Sequence, residues 1–195
     1  MARGVRYSIK ALGGRLGEQW ERDRRDTLFL MGATLLTALV HFPFVPAWVA
    51  IGFALLFVWR LGLVLAGRPL PSTPIRWLAA IACLTAVWVQ YGTLVGRDVG
   101  VTILLLFLGL KLLEMRARRD LFVVLFLCFF LLLTAFFEDQ SLPIAAAVVL
   151  AVTALVTTMV TMQFGVQEAP IGRRFKLAGS LLLQALPIAA VMFVL

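Results

Sequence analysis

The sequence predicts an all-α membrane protein, a polytopic bundle of about seven transmembrane helices, or six if the short first segment does not span. Three observations predict it. Hydrophobic residues make up 62% of the 195 and charged residues 14%, and the mean hydropathy is +1.00; soluble domains run at roughly 45–50% apolar and about 25% charged. A core of this size cannot hide so much apolar surface from water, so lipid has to cover part of it. The apolar residues also fall into runs close to the ~20 residues that a helix needs to span a bilayer. Finally, the basic residues fall between those runs, on alternate connections.

The elements follow in chain order. Residues 1–26 carry seven basic residues, Arg3, Arg6, Lys10, Arg15, Arg22, Arg24 and Arg25, and no long apolar run. No cleavable signal peptide is expected there, and the first apolar run should act as an uncleaved signal anchor. Val5, Ile9, Leu12, Leu16 and Trp20 fall on one helical face among these charges, the pattern of an amphipathic helix on the inner leaflet. The competing reading is a poorly ordered basic tail, because Gly4, Gly13, Gly14 and Gly17 weaken a helix. The transmembrane region is expected over 27–195. Its segments are 27–42 (the shortest), 47–66, 75–94, 99–115, 121–137, 142–164 and 175–195. Pro43 and Pro46 separate the first two, and Pro69, Pro71 and Pro74 punctuate the next connection, since proline disfavours a continuous helix. Gly96 precedes the fourth, and Glu138-Asp139-Gln140-Ser141 divides the fifth from the sixth. Pro187 is expected to kink the last helix.

Charge sets the orientation. With the N-terminus inside and every segment spanning, the N-terminal cations, Arg60, Arg68, Arg76, Lys111, Arg116, Arg118, Arg119, Arg173, Arg174 and Lys176 all fall inside or flank inside loops. Arg97 alone falls outside. Cytoplasmic loops carry the excess of Lys and Arg in membrane proteins, so the N-terminus is predicted inside and the C-terminus outside. If the first segment did not cross, its basic leader would move to the outer face. The net charge of +8 therefore points to contact with the bilayer and with anionic lipid headgroups at the inner face, and not to nucleic acid.

No ionisable residue lies near the centre of a segment, where an unpaired charge is costly and marks function. Arg60 and Lys111 lie near inner ends and are long enough to snorkel; pairing with a neighbouring helix is the alternative. Lys111, Glu114, Arg116, Arg118, Arg119 and Asp120 form the densest charge group. Lys111/Glu114 are spaced i,i+3, and Glu114/Arg118 and Arg116/Asp120 i,i+4, so opposite charges would meet along a helix. This group reads as a structural turn, or as a site for lipid headgroups or a partner. Tyr91, Gly96, Arg97 and Asp98 form an outer polar turn, with Gln140 and Ser141 in the other one. The alternatives there are a satisfied turn or a docking surface for a periplasmic domain or protein. Gln90, Thr134, Gln163 and Gln184 suit hydrogen bonds between helices.

Catalysis is hard to build from these residues. Cys83 and Cys128 lie deep in apolar runs, where burial makes a poor nucleophile, and His41 is the single histidine. No metal site, phosphate-binding loop or cofactor motif is present. No catalytic, cofactor-binding or metal-ligating residue is assigned.

The stretch from Tyr91 to Asp120, YGTLVGRDVGVTILLLFLGLKLLEMRARRD, resembles the membrane region of bacterial membrane-anchored transglutaminase-like proteins, the TgpA family. FLLLTAFFEDQS (Phe130 to Ser141) looks like the next hairpin of that family, and LLLQALPIAAVMFVL (Leu181 to Leu195) like its last helix before the periplasm. Asp98 stands where family members typically carry Glu, which keeps the charge. The resemblance implies an N-terminal helical bundle in the bacterial inner membrane. It also implies a downstream periplasmic transglutaminase-like domain with a Cys-His-Asp triad, and then a further helix. That domain is expected beyond Leu195, and Cys83, Cys128 and His41 do not match the triad. The expected function is that of a membrane anchor or scaffold module of such a protein, whose complete form would be a protein-glutamine acyltransferase. The alternatives are a small transporter or channel subunit, which calls for a polar lining at the midplane, or a free-standing assembly factor that docks a partner at the outer turn.

Overall fold

The computed structural model describes residues 24–115, 118–163 and 171–194. Within them the chain forms seven helices and no strand. They are α1 (24–41), α2 (Ala47–Leu65), α3 (Thr73–Tyr91), α4 (Arg97–Glu114), α5 (Arg118–Glu138), α6 (Leu142–Gln163) and α7 (Ile171–Val194). The expected interfacial helix at the N-terminus lies outside the described residues, apart from 24–26, which belong to α1.

Punctuation in the sequence sets the helix ends. Pro46 stands at the N-cap of α2, and Pro74 falls in the first turn of α3, where its missing N–H has no helical partner to lose. Gly92 closes α3 in the left-handed conformation, its N–H bonded to the Trp88 carbonyl. Gly96, at φ 148 and ψ 160, precedes α4 with a backbone that side chains rarely adopt. α4 starts two residues before the apolar segment, so Arg97 and Asp98 form its first turn rather than a loop. Asp98 complements the positive end of the helix dipole. α7 likewise opens at Ile171, ahead of its apolar run, and is helical on both sides of Pro187.

α4 is the hub, packing against α2, α3 and α5; α6 packs on α5, and α7 on α6. Val99, Val101, Leu105, Leu106, Leu108, Leu112 and Leu113 of α4 are all buried. α2 and α4 run parallel. Leu106 comes within 3.3 Å of where Gly52 would carry a Cβ, and Leu56 sits 3.0 Å from the Cβ position of Gly109. A glycine in each helix takes a leucine of the other, the small-residue packing typical of membrane helices. α1 fits beside α5 and α6: Cys128 Sγ lies 3.7 Å from Thr34 Oγ1, and Thr158 Oγ1 reaches the Phe29 carbonyl at 3.5 Å.

The distribution of apolar surface is that of a lipid-facing protein. Of α3, only Val87 is buried, while Trp77, Leu78, Ile81, Trp88 and Val89 are exposed. The interior holds Thr34, Thr37, His41, Thr102, Thr157 and Thr158. Thr34, Thr37, Thr157 and Thr158 bond back to the carbonyl four residues earlier, which satisfies each hydroxyl without water. α2, α3, α5 and α6 are long and apolar enough to cross a membrane. α4 falls outside that set because Arg97, Asp98, Lys111 and Glu114 stand at its ends, although its middle is apolar and buried.

Candidate functional site

The polar residues singled out by the sequence collect at the two ends of α4. At the first end, Arg97 Nη2 lies 2.9 Å from Glu138 Oε2, tying the start of α4 to the end of α5. The Glu138 side chain is 17% exposed and that of Arg97 53%. This pairing went unforeseen; the signal was the sole outside cation, Arg97, facing an acidic turn on the same side. Tyr91 Oη and Thr102 Oγ1 share a hydrogen bond of 3.1 Å that fastens α3 to α4. In the turn before α6, Ser141 donates to both oxygens of Asp139, from its backbone N at 2.8 Å and its hydroxyl at 2.7 Å. Gln140 beside it is exposed. Tyr91, Arg97 and Ser141 are thus engaged in local contacts, while Gln140 faces outward.

A buried polar line runs inward from this end. His41, fully buried, contacts the Thr37 carbonyl through Nδ1 at 3.0 Å and Thr134 Oγ1 through Nε2 at 3.2 Å. His41 stands at the helix end that the sequence predicted, yet it faces α5 rather than the surface. Thr134 Oγ1 stands within reach of the interhelical hydrogen bond expected of it, in competition with the Leu131 carbonyl of its own helix. Cys128 engages Thr34, six residues before Thr134 on α5, or ~9 Å along the axis at 1.5 Å per residue. The thiol and the imidazole therefore bond to different hydroxyls and do not form a nucleophile–base pair, which calls for hydrogen-bond reach. Among the described residues, no group of three or more His, Cys, Asp or Glu could hold a metal ion.

At the opposite end, Lys111 Nζ lies 2.9 Å from Glu114 Oε2, the i,i+3 contact that the spacing predicts. Arg76, at the start of α3, approaches Glu114 Oε1 at 3.8 Å. α4 stops at Glu114, and Met115 leaves the helix at φ −58, ψ 113, so the continuous helix assumed for the i,i+4 reading of Glu114 with Arg118 is interrupted there; the Arg118 side chain lies outside the described residues. Arg116 lies outside the described residues. Arg119 Nε lies 3.7 Å from its neighbour Asp120. Arg60 is 8% exposed and its Nε has no hydrogen-bond partner; helices enclose it at the position from which snorkelling was expected.

An apolar exterior, buried threonines that mostly bond within their own helices, and charge gathered toward helix ends fit a membrane-associated helical module. The chain belongs to a specific family of these. Residues 29–195 match the TgpA N-terminal domain. The chain is similar to a protein-glutamine gamma-glutamyltransferase from Pseudomonas aeruginosa, at 32% identity over 166 residues, which cover 85% of this chain and 25% of that relative. It thus spans about a quarter of the relative's length. No solved structure matches it. The chain is an N-terminal module of the TgpA type, and it contains the Tyr91–Asp120 stretch on which the resemblance rested.

Proposed function

We propose that this chain is the membrane-spanning anchor of a transglutaminase-like protein in the bacterial inner membrane. All seven helices cross, with the N-terminus in the cytoplasm and the C-terminal end of α7 at the periplasmic face. The observation that carries this reading is the segregation of charge between the two ends of the bundle. Arg24, Arg76, Lys111, Arg119 and, at the start of α7, Arg173 and Lys176 stand at one set of helix ends. At the other, Arg97, the one Lys or Arg there among the described residues, is paired with Glu138 and accompanied by Asp98 and Asp139. Cytoplasmic faces carry the excess of Lys and Arg, so the Lys111 end is the cytoplasmic one.

In the complete protein, a thiolate would attack a glutamine carboxamide, release ammonia and pass the acyl group to an amine. That chemistry needs a hydrated nucleophile and base. Cys128 and His41, both fully buried, are unsuited to it, and Cys83 lies within α3 with no histidine beside it in sequence. The resemblance to the TgpA family implies that the catalytic groups belong to a periplasmic domain following α7.

Reporter fusions test the topology. Alkaline phosphatase joined at Val95 or Gln140 is expected to be active, and a fluorescent protein joined at Leu70 to be bright. Phosphatase activity at Leu70 overturns the orientation. Reading the coding frame beyond codon 195 tests the anchor role. A soluble domain carrying Cys, His and Asp is expected there, and a stop with no such frame makes the chain a stand-alone module.

A further inference from the structure

We propose that the cleft between α3 and α4 at the Lys111 end binds the phosphate of an anionic phospholipid. This deepens the membrane reading given above and rests on it. The cleft has a volume of about 200 Å³, and its lining divides into two parts. Thr73, Arg76, Lys111 and Glu114 supply the polar part. Trp77 and Phe107, which are 66% and 47% exposed, supply an apolar part that runs on into the bare face of α3.

Charge and unmet hydrogen bonding point to an anion. Two cations face one carboxylate, leaving a net charge of +1 in the cleft. Arg76 donates through Nη2 to Thr73 Oγ1 at 3.0 Å, and its Nη1 is a loose 3.8 Å from Glu114. Its Nε is buried without a partner. A guanidinium presents Nε–H and an Nη–H as one edge of its planar fork, and that edge fits two oxygens of a phosphate. Lys111 spends one of its three donors on Glu114 and has others to offer. The 19-residue α3 begins here, with no side-chain cap on Ser72 and no acidic residue in its first turn, so the positive end of its dipole stands over the same space.

The continuity of the cleft with exposed Trp77, Leu78 and Ile81 favours a ligand that carries both a charge and acyl chains. A phosphodiester lipid has both, and indole rings settle at headgroup depth. Free phosphate shares the charge alone.

The test uses the full chain in neutral detergent, with phosphatidylglycerol and phosphatidylcholine of the same acyl chains as probes and bound lipid counted by native mass spectrometry. Phosphatidylglycerol is expected to bind at least fivefold tighter. Arg76→Gln with Lys111→Gln should reduce that preference to less than twofold, and Arg173→Gln with Lys176→Gln should leave it. Should the first pair not fold, as judged by circular dichroism, Arg76→Lys keeps the charge, loses the fork and should weaken phosphatidylglycerol at least twofold. Equal binding of the two lipids by the unaltered chain overturns the proposal, as does a preference that survives the cleft substitutions. Equal loss from the α7 pair also overturns it, because binding would then follow bulk charge. Inorganic phosphate is expected not to compete; displacement of the lipid by phosphate alone replaces the lipid assignment with a free-anion site. The reporter fusions read the orientation separately, so failure of the cleft and failure of the topology are distinguishable.

Discussion

At His41 three short contacts compete for hydrogens. The Thr37 carbonyl can only accept, so Nδ1 carries a hydrogen, and in a neutral ring Nε2 is then an acceptor. Thr134 has one hydroxyl hydrogen, and its oxygen lies 2.7 Å from the Leu131 carbonyl and 3.2 Å from Nε2. It can serve its own helix or the neighbouring one, not both at once. Hydrogen bonds between membrane helices average only ~0.6 kcal/mol and reach ~1.7. Thr134→Val keeps the shape and removes the hydroxyl, and is expected to destabilise the chain by about that much in an unfolding titration in mixed micelles. No loss at all would mean that the ring finds another partner. The Arg97–Glu138 pair is also expected to be modest. Arg97 is half exposed, and exposed ion pairs are worth ~0–1 kcal/mol. A double-mutant cycle with Arg97→Gln and Glu138→Gln should give a coupling inside that range. The sequence marks Thr134 for an interhelical bond and Arg97 as an isolated outer cation, but it names neither partner. His41 and Thr134 are 93 positions apart, and Arg97 and Glu138 are 41 apart. Spacing rules speak only to neighbours on one helix.

At the scale of the helix, apolar runs and their punctuation are local properties, so the existence and order of the helices could be read from residues alone. The break at Met115 could not. Lys111, Glu114, Arg116, Arg118 and Asp120 keep favourable helical spacing straight through it, and the i,i+4 rule takes a continuous helix for granted. The close approach of α2 and α4 was hidden for a different reason: a glycine in an apolar run looks the same whether it faces lipid or a leucine. Its environment in the fold makes Gly109 a sharp test. A Cβ there would lie 3.0 Å from Leu56 Cδ1, 3.3 Å from Leu56 Cβ and 3.4 Å from Phe53 Cδ2. The first of these atoms can swing aside, but Leu56 Cβ moves only with its helix. Gly109→Leu is therefore expected to force α2 and α4 apart and to cost roughly 1–3 kcal/mol, the usual penalty of overpacking. Thermal unfolding of the purified chain reads it. Leu56→Ala in the same chain should recover part of the loss, and a Gly109→Leu protein as stable as the parent contradicts this packing.

For the whole molecule, the question is whether the exposed apolar surface meets lipid, and α5 carries a pair of residues that can answer it. Phe126 and Phe137 are 69% and 66% exposed on one helix, so by exposure alone they are equivalent. They differ in depth: Phe126 stands near the middle of Arg118–Glu138 and Phe137 next to its end. Water does not grade a surface by position along a helix. In an aqueous protein, lysine at either site should change stability by no more than ~0.5 kcal/mol. A bilayer does grade it. A lysine at the centre of a spanning helix costs ~2.5–3.5 kcal/mol, and the lost phenylalanine adds a few tenths. Near the end, the four-carbon stem carries the ammonium to the interface and most of that cost disappears. Phe126→Lys is therefore expected to lose about 3 kcal/mol and Phe137→Lys only a small part of that, measured as stability of the full chain in bicelles. Equal and small effects at the two positions would remove lipid from this face, and with it the premise of a phospholipid in the α3–α4 cleft. A large difference in the opposite sense would place the bilayer centre near Phe137 and shift the depth of every helix end, including the Arg76–Lys111 cleft, away from the headgroups.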